Sequence, residues 1–137
     1  MSTRKFSVSV PAEACYLKAI RSFFKPILAD WFGEQAELVI LAIDESCSNL
    51  LKHQCGGVGL EAVSVQAEAR EDRCLFRIDN FCNSGDVPNI KPRSLGEVRP
   101  GGLGTHFVNQ IMDKVWFEPA PGTADRMCLI LEKSIKK

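Results

Sequence analysis

The chain has 137 residues, enough for one domain (1–137) with a substantial core and too few for two. Its 17 basic and 17 acidic side chains cancel. There is thus no basic surplus to argue for nucleic acid as a direct partner, and near-neutral charge leaves little repulsion against a protein partner or a homodimer. The N-terminus, MSTRKFSVSV, lacks the apolar core of a secretory signal. The longest apolar run, Leu38 to Ile43, is far too short to span a bilayer, so no membrane contact is expected and the cytoplasm is the expected compartment.

Residues 4 to 10 alternate polar and apolar and predict a first strand ending at Pro11. From Glu13 to about Trp31, Leu17, Ile20, Phe24 and Leu28 recur at helical spacing, with Pro26 expected to bend or interrupt the helix. Gly33 breaks it. A second helix is predicted from about Glu34 to His53, stopped by Gly56 and Gly57. Leu60–Ala69 and Cys74–Asp79 read as two strands around the polar turn Arg70–Arg73. Asn80 to Pro100, rich in Pro, Gly, Asn and Ser, is long enough for a functional lid, about 81–101. A third helix follows, and Lys114–Glu118 and Met127–Glu132 supply two further strands. The order β-α-α-β-β-α-β-β predicts an α+β two-layer sandwich, with one mixed, mainly antiparallel sheet covered on one face by about three helices.

Six cysteines, Cys15, Cys47, Cys55, Cys74, Cys82 and Cys128, form no C-x-x-C pair. In a cytosolic chain they are expected to be reduced and mostly buried. Cys47, His53 and Cys55 lie close in sequence, but their spacing matches no standard zinc pattern.

Three features carry chemistry. Residues 101–116 read GGLGTHFVNQIMDKVW: Gly101, Gly102 and Gly104 precede an amphipathic run with Phe107, Val108, Ile111 and Met112 on one helical face. Glycines allow a ligand to approach the backbone, and the following helix directs unpaired N–H groups to the same place, an arrangement suited to phosphate oxygens. The stretch is neither a Walker A loop nor a dinucleotide fingerprint, and the bland alternative is a flexible turn before a core helix.

On the second helix, Glu45, Asn49 and His53 recur every four residues and share a face with Leu38 and Leu41. That face is therefore read as apolar core in its first half and polar in its second. A carboxylate there can take a proton from an attacking hydroxyl, and an amide oxygen one turn on can ligate Mg²⁺. The alternative is a helix that surfaces from the core and solvates all three, with His53 and Lys52 simply complementing the helix C-terminus. Asp79, at the end of a hydrophobic strand, can accept a hydrogen bond from an exocyclic amine such as adenine N6, although strand ends often carry Asp to start turns.

Together, Glu-x-x-x-Asn in LAIDESCSNLLKH, an Asp after a strand, a lid, and GGLGTHFVNQIMDKV resemble the Bergerat-fold GHKL ATPases. More narrowly, they are similar to the anti-sigma-factor serine/threonine kinases of the RsbW type, over nearly the whole chain and in the same order. The resemblance implies ATP and Mg²⁺ as ligands, Glu45 as general base, Asn49 as Mg²⁺ ligand and Asp79 as reader of the adenine amine. It implies that Gly101, Gly102, Leu103 and Gly104, with the N–H groups of Thr105 and His106, hold the phosphates. His53 is a further candidate at the nucleotide. Implied partners are a sigma factor or other effector and a STAS-domain antagonist phosphorylated on Ser or Thr.

The chain departs from the family's Asp-x-Gly, which reads Asp79-Asn80-Phe81 here. Phe81 stands where glycine lets the base slide in, Gly85 comes four residues later, and Thr123 is the candidate for a threonine near the last strand. Phe81 motivates a rival reading, a weakly binding or inactive module that regulates a partner by contact. A third reading, the catalytic domain of a histidine kinase, is disfavoured by the absence of a phosphoacceptor helix pair.

Overall fold

Alternation along the strands sorts apolar from polar side chains between the two faces of one sheet. The computed structural model describes residues 3–52, 61–82, 102–120 and 126–135. β1 (Arg4–Pro11) turns Phe6, Val8 and Val10 inward and leaves Lys5, Ser7 and Ser9 exposed. β2 (Ala62–Ala69) buries Val63, Val65, Ala67 and Ala69, and β3 (Arg73–Cys82) buries Cys74, Phe76 and Ile78. β4 (Lys114–Pro119) and β5 (Arg126–Ser134) complete a sheet of order β1-β2-β3-β5-β4. Every pairing among the described residues is antiparallel, so the parallel pair implicit in a mixed sheet is not found there.

Among the described residues, three helices lie over the inner face: α1 (Leu17–Phe32), α2 (Ala36–Lys52) and α3 (Gly102–Ile111). A single 3-10 turn, Ala14–Tyr16, leads into α1, and a second, Gly33–Gln35, joins α1 to α2. Gly33 ends α1 with φ 57° and ψ −122°, a conformation that would strain any side chain. Pro26 does not interrupt α1. It and Ser22, whose carbonyl it leaves without an amide partner, are both exposed, and water can serve that carbonyl.

The core fills the space between layers. Phe24, Leu28, Val39, Val65, Phe76 and Leu131 are at most 1% exposed, and each such side chain contributes about 1.5–3 kcal/mol by leaving water. Phe24 meets Phe76 edge-on, ring centroids 6.2 Å apart. This interlock of α1 with β3 fixes the helix layer on the sheet. α2 runs between its neighbours, packing on both α1 and α3, and the Arg21–Asp44 contact at 2.6 Å crosses the α1–α2 seam.

One expectation about α2 is corrected. Leu38 and Leu41 are 46% and 45% exposed, and the core face carries Ala36, Val39, Ile40, Ile43, Cys47 and Leu50. At roughly 100° per residue, that stripe is centred nearly half a turn from the line through Leu38 and Glu45, and the buried Ala42 and Ser46 carry the buried face round to Asn49. Glu45 and Asn49 thus occupy the rim of the buried face rather than its continuation.

Candidate functional site

Asn49 lies on this rim, only 5% exposed, and its Oδ1 is buried with no hydrogen-bond partner among the described residues. A buried amide oxygen left unpaired costs about 1–3 kcal/mol, so its retention calls for an explanation. Its neighbour Ser46 has none to offer, because its hydroxyl donates to the Ala42 carbonyl at 2.8 Å. Glu45, one turn earlier, is half-buried. A four-residue step advances about 6 Å along a helix and nearly closes a turn, so the carboxylate and the amide lie one above the other.

The amide oxygen suits an oxygen-liganded divalent cation, and leaves the carboxylate one turn earlier free to take a proton. Mg²⁺ takes hard oxygen donors, keeps several waters and is commonly held by one or two protein ligands plus substrate phosphates. The orphaned Oδ1 supplies such a donor in a place where water has little access. No cluster of three or more His, Cys, Asp or Glu suited to a metal occurs among the described residues. His53 and Cys55 lie outside the described residues.

α3 begins at Gly102, so Gly102, Leu103 and Gly104 form its first turn rather than a loop ahead of it. The first N–H groups of a helix lack partners within it; among the described residues these are the N–H groups of Gly102, Leu103 and Gly104. Val108 and Met112 are buried against the core, with Phe107 and Ile111 half-buried, as their spacing predicts. The other end of α3 is pinned to β5. Lys133 Nζ donates to the Ile111 carbonyl at 2.8 Å, and Asp113 Oδ2 accepts from Ser134 N and Oγ at 2.7 and 2.9 Å. Asp113 of the Met-Asp pair therefore holds the helix in place.

Asp79 is not brought together with Glu45 and Asn49. Along β3 the core positions are Cys74, Phe76 and Ile78, which sends Leu75, Arg77 and Asp79 to the face without helices. There Asp79 Oδ1 accepts a hydrogen bond from Cys128 Sγ at 2.9 Å. Burial, with Asp79 adding to it, pushes the Cys128 thiol from its ordinary 9.0 up to about 11. The Asp79 carboxylate and the α2 pair thus lie on opposite sides of the sheet.

Beyond Asp79 the strand carries one extra residue. Between Ile78, paired with Leu129, and Phe81, paired with Met127, β3 has one residue more than β5. This β-bulge falls at Asn80, the one non-glycine with positive φ (77°) among the described residues. Asn80 Nδ2 donates to the Ala62 carbonyl at 3.3 Å, beyond the last β2–β3 pair, Val65 with Ile78. After the bulge the alternation restarts and Phe81 points inward, 2% exposed, edge-on to Phe117 with centroids 5.4 Å apart. Asn80 is a polar group at this end of the sheet that sequence reasoning passed over. Its signal was the hydrophobic Phe81, which breaks the period of two after Ile78. Gly85, Gly101 and Thr123 lie outside the described residues.

The open face has its own groove, of about 230 Å³, bordered by Leu75, Arg77, Trp116, Glu118 and Ile130. Trp116 Nε1 donates to Glu118 Oε2 at 2.8 Å and Arg77 approaches Glu118 at 3.9 Å. It is on the other side of the sheet from Asn49. No helix among the described residues is long and apolar enough to cross a membrane.

Residues 10–133 match a family described as the histidine kinase-like ATPase domain. The chain is 26% identical to a protein named serine-protein kinase RsbW from Staphylococcus aureus, an alignment covering 90% of this chain and 85% of that protein. It is 27% identical to a protein of the same name from Halalkalibacterium halodurans, covering 92% and 83% respectively.

Proposed function

Because this chain belongs to the histidine kinase-like ATPase domain family, we propose that it is an ATP- and Mg²⁺-dependent protein serine/threonine kinase. In this reading it acts as an anti-sigma factor or partner-switching regulator and phosphorylates a STAS-domain antagonist. The observation that carries the reading is the buried, unpartnered Oδ1 of Asn49, one turn from the half-buried Glu45. Similarity to two proteins named serine-protein kinase RsbW supports the choice of a protein hydroxyl as acceptor.

Asn49 Oδ1 is the residue that would hold Mg²⁺, which when bound neutralises charge on the phosphate oxygens. The first-turn N–H groups of α3 would receive phosphate oxygens, with their partial positive charge aimed at the same anion. Glu45 accepts the proton of the serine or threonine hydroxyl as its oxygen forms the new bond to the γ-phosphorus. The bond from that phosphorus to the bridging oxygen breaks and ADP departs with the electron pair. Chemistry of this kind relies on positioning and charge neutralisation more than on covalent participation by the protein.

Glu45→Gln tests the assignment, since it keeps shape and removes the base. General bases contribute typically 10²–10⁴-fold, so transfer from γ-labelled ATP to a STAS-domain protein should fall by about that factor while MgATP affinity changes little. Wild-type transfer rates in Glu45→Gln would remove Glu45 from the mechanism.

A second reading has its own observation. Phe81, buried against Phe117, occupies core volume at the end of β3. A chain that fills its base pocket in this way would keep the fold as a binding module and regulate by contact. Titration with ATP and ADP, with Mg²⁺ and with EDTA, separates the two: micromolar Mg²⁺-dependent binding supports the kinase, and none up to millimolar supports the module.

A further inference from the structure

Large apolar side chains in the open are few among the described residues: Tyr16, Leu38 and Leu41. Two of the three share a helix, and that helix carries the proposed base. Taking Leu38 as the origin, Leu41 lies about 60° round α2 and Glu45 about 20° on the same side, at 100° per residue. The three side chains therefore form one ridge, with Leu41 about 6 Å and Leu38 about 10 Å along the axis from Glu45.

We infer that the Leu38–Leu41 ridge is the docking surface for the protein that delivers its hydroxyl to Glu45. This rests on the kinase reading above. A proton transfer needs the acceptor hydroxyl within about 3 Å of the carboxylate. A polypeptide held there has to cover whatever lies one turn away on the same face, and on the N-terminal side that is Leu41 and then Leu38. The half-buried Asp44 is already engaged by Arg21, so the ridge beside Glu45 is apolar rather than acidic. Glu34 and Glu37, both exposed, stand at its far end.

The surface thus runs from base to apolar pair to acidic end, and it defines its occupant by complement. The partner presents a serine or threonine, an apolar side chain about two or three residues away at 3.3 Å per extended residue, and basic groups beyond. Two half-exposed leucines cost the free protein little, but at a protein interface such side chains belong to the desolvated centre.

The test is Leu38→Gln with Leu41→Gln, a pair of good helix formers at exposed positions that leaves the core intact. MgATP affinity is read by calorimetry, transfer from γ-labelled ATP to a panel of STAS-domain proteins by initial rates, and mass by sedimentation velocity. The expected result is a KM for the protein acceptor raised at least tenfold, with kcat at saturation and MgATP affinity within twofold of wild type. Glu37→Lys should raise the same KM and weaken its dependence on salt. An unchanged KM in the double variant overturns the ridge while leaving the kinase standing. A wild-type dimer that the double variant dissolves, with KM unchanged, assigns the ridge to a second copy of the chain and overturns it as a substrate site. Wild-type protein that binds MgATP yet phosphorylates no member of the panel removes the kinase reading, and the ridge inference with it.

Discussion

Asn49 should be a residue that the protein keeps at the expense of its own stability. Its Oδ1 is buried without a partner among the described residues, and an unmet acceptor of this kind costs about 1–3 kcal/mol. Asn49→Leu keeps the branching at Cγ and replaces both polar atoms by methyl groups. The gain is relief of the desolvated oxygen. The loss is some repacking, typically below about 1.5 kcal/mol for a near-isosteric change. A net stabilisation of about 1 kcal/mol follows, which for a chain of this size raises Tm by about 3–6 °C.

Ligand reverses the ranking. At a nucleotide concentration of 100 times Kd, binding adds about 2.7 kcal/mol to a protein that binds only when folded. Wild type should gain this and the variant, lacking the Mg²⁺ ligand, should gain almost none. Urea denaturation of both proteins, with and without MgATP, reads the crossing directly. Without nucleotide the variant is the more stable; with it, wild type leads by roughly 1–2 kcal/mol. A variant less stable than wild type in the absence of nucleotide would refute the reasoning, because Asn49 would then be contributing to the fold rather than straining it.

Three other perturbations follow from the same geometry. Asp79→Ala, on the face away from α2, should leave MgATP affinity within about twofold; a loss of tenfold or more, about 1.4 kcal/mol, would return Asp79 to the nucleotide. Phe81→Ala should lower the urea-derived stability by about 3–5 kcal/mol, as for other buried aromatics, and any nucleotide affinity higher than wild type would identify the ring as an obstruction. Burial raises the thiols of Cys47 to about 12 and Cys128 to about 11. The unfolded chain therefore releases those protons from about pH 9 while the folded chain retains them. Stability is constant on this account below pH 9 and falls between pH 9 and 11; Cys128→Ala should make the fall shallower, and an equally steep fall in that variant would discount Cys128 as a source.

The elements were legible because their signals were local. The turn at Arg70–Arg73, closed by Arg70 N donating to the Arg73 carbonyl at 2.8 Å, and the helix stop at Gly33 each depend on a few neighbouring residues. Which face of α2 is buried was not legible. Leu38 to Ile43 is apolar at every position, so periodicity there selects no side. Only contact with α1, α3 and the sheet chooses Val39 and Ile43 over Leu38 and Leu41. The Glu45–Asn49 spacing survives that ambiguity because a helix keeps i and i+4 together whichever way it is turned.

The faces taken by Asp79 and Phe81 have a different origin, and it bears on how the site works. In a strand a single inserted residue exchanges the two faces from that point on. Reading Asp79-Asn80-Phe81 as an acceptor followed by a filled glycine position assumes unbroken alternation. Asp79 precedes the bulge and belongs by plain alternation to the open face with Arg77 and Cys128, whereas Phe81 follows it and belongs to the core with Phe117. Phe81 is then the inward residue that restores the hydrophobic layer after the bulge, and its bulk is used in packing. The question for nucleotide binding therefore shifts from Phe81 to its neighbour. Asn80 holds Ala62 through Nδ2, so its remaining amide oxygen is the acceptor nearest the bulge. Asn80→Gly keeps the positive φ and removes that oxygen. A selective loss of ATP affinity over ITP, which presents an oxygen where adenine presents an amine, would assign base reading to Asn80. Equal effects on both nucleotides would confine Asn80 to closing the end of the β2–β3 ladder.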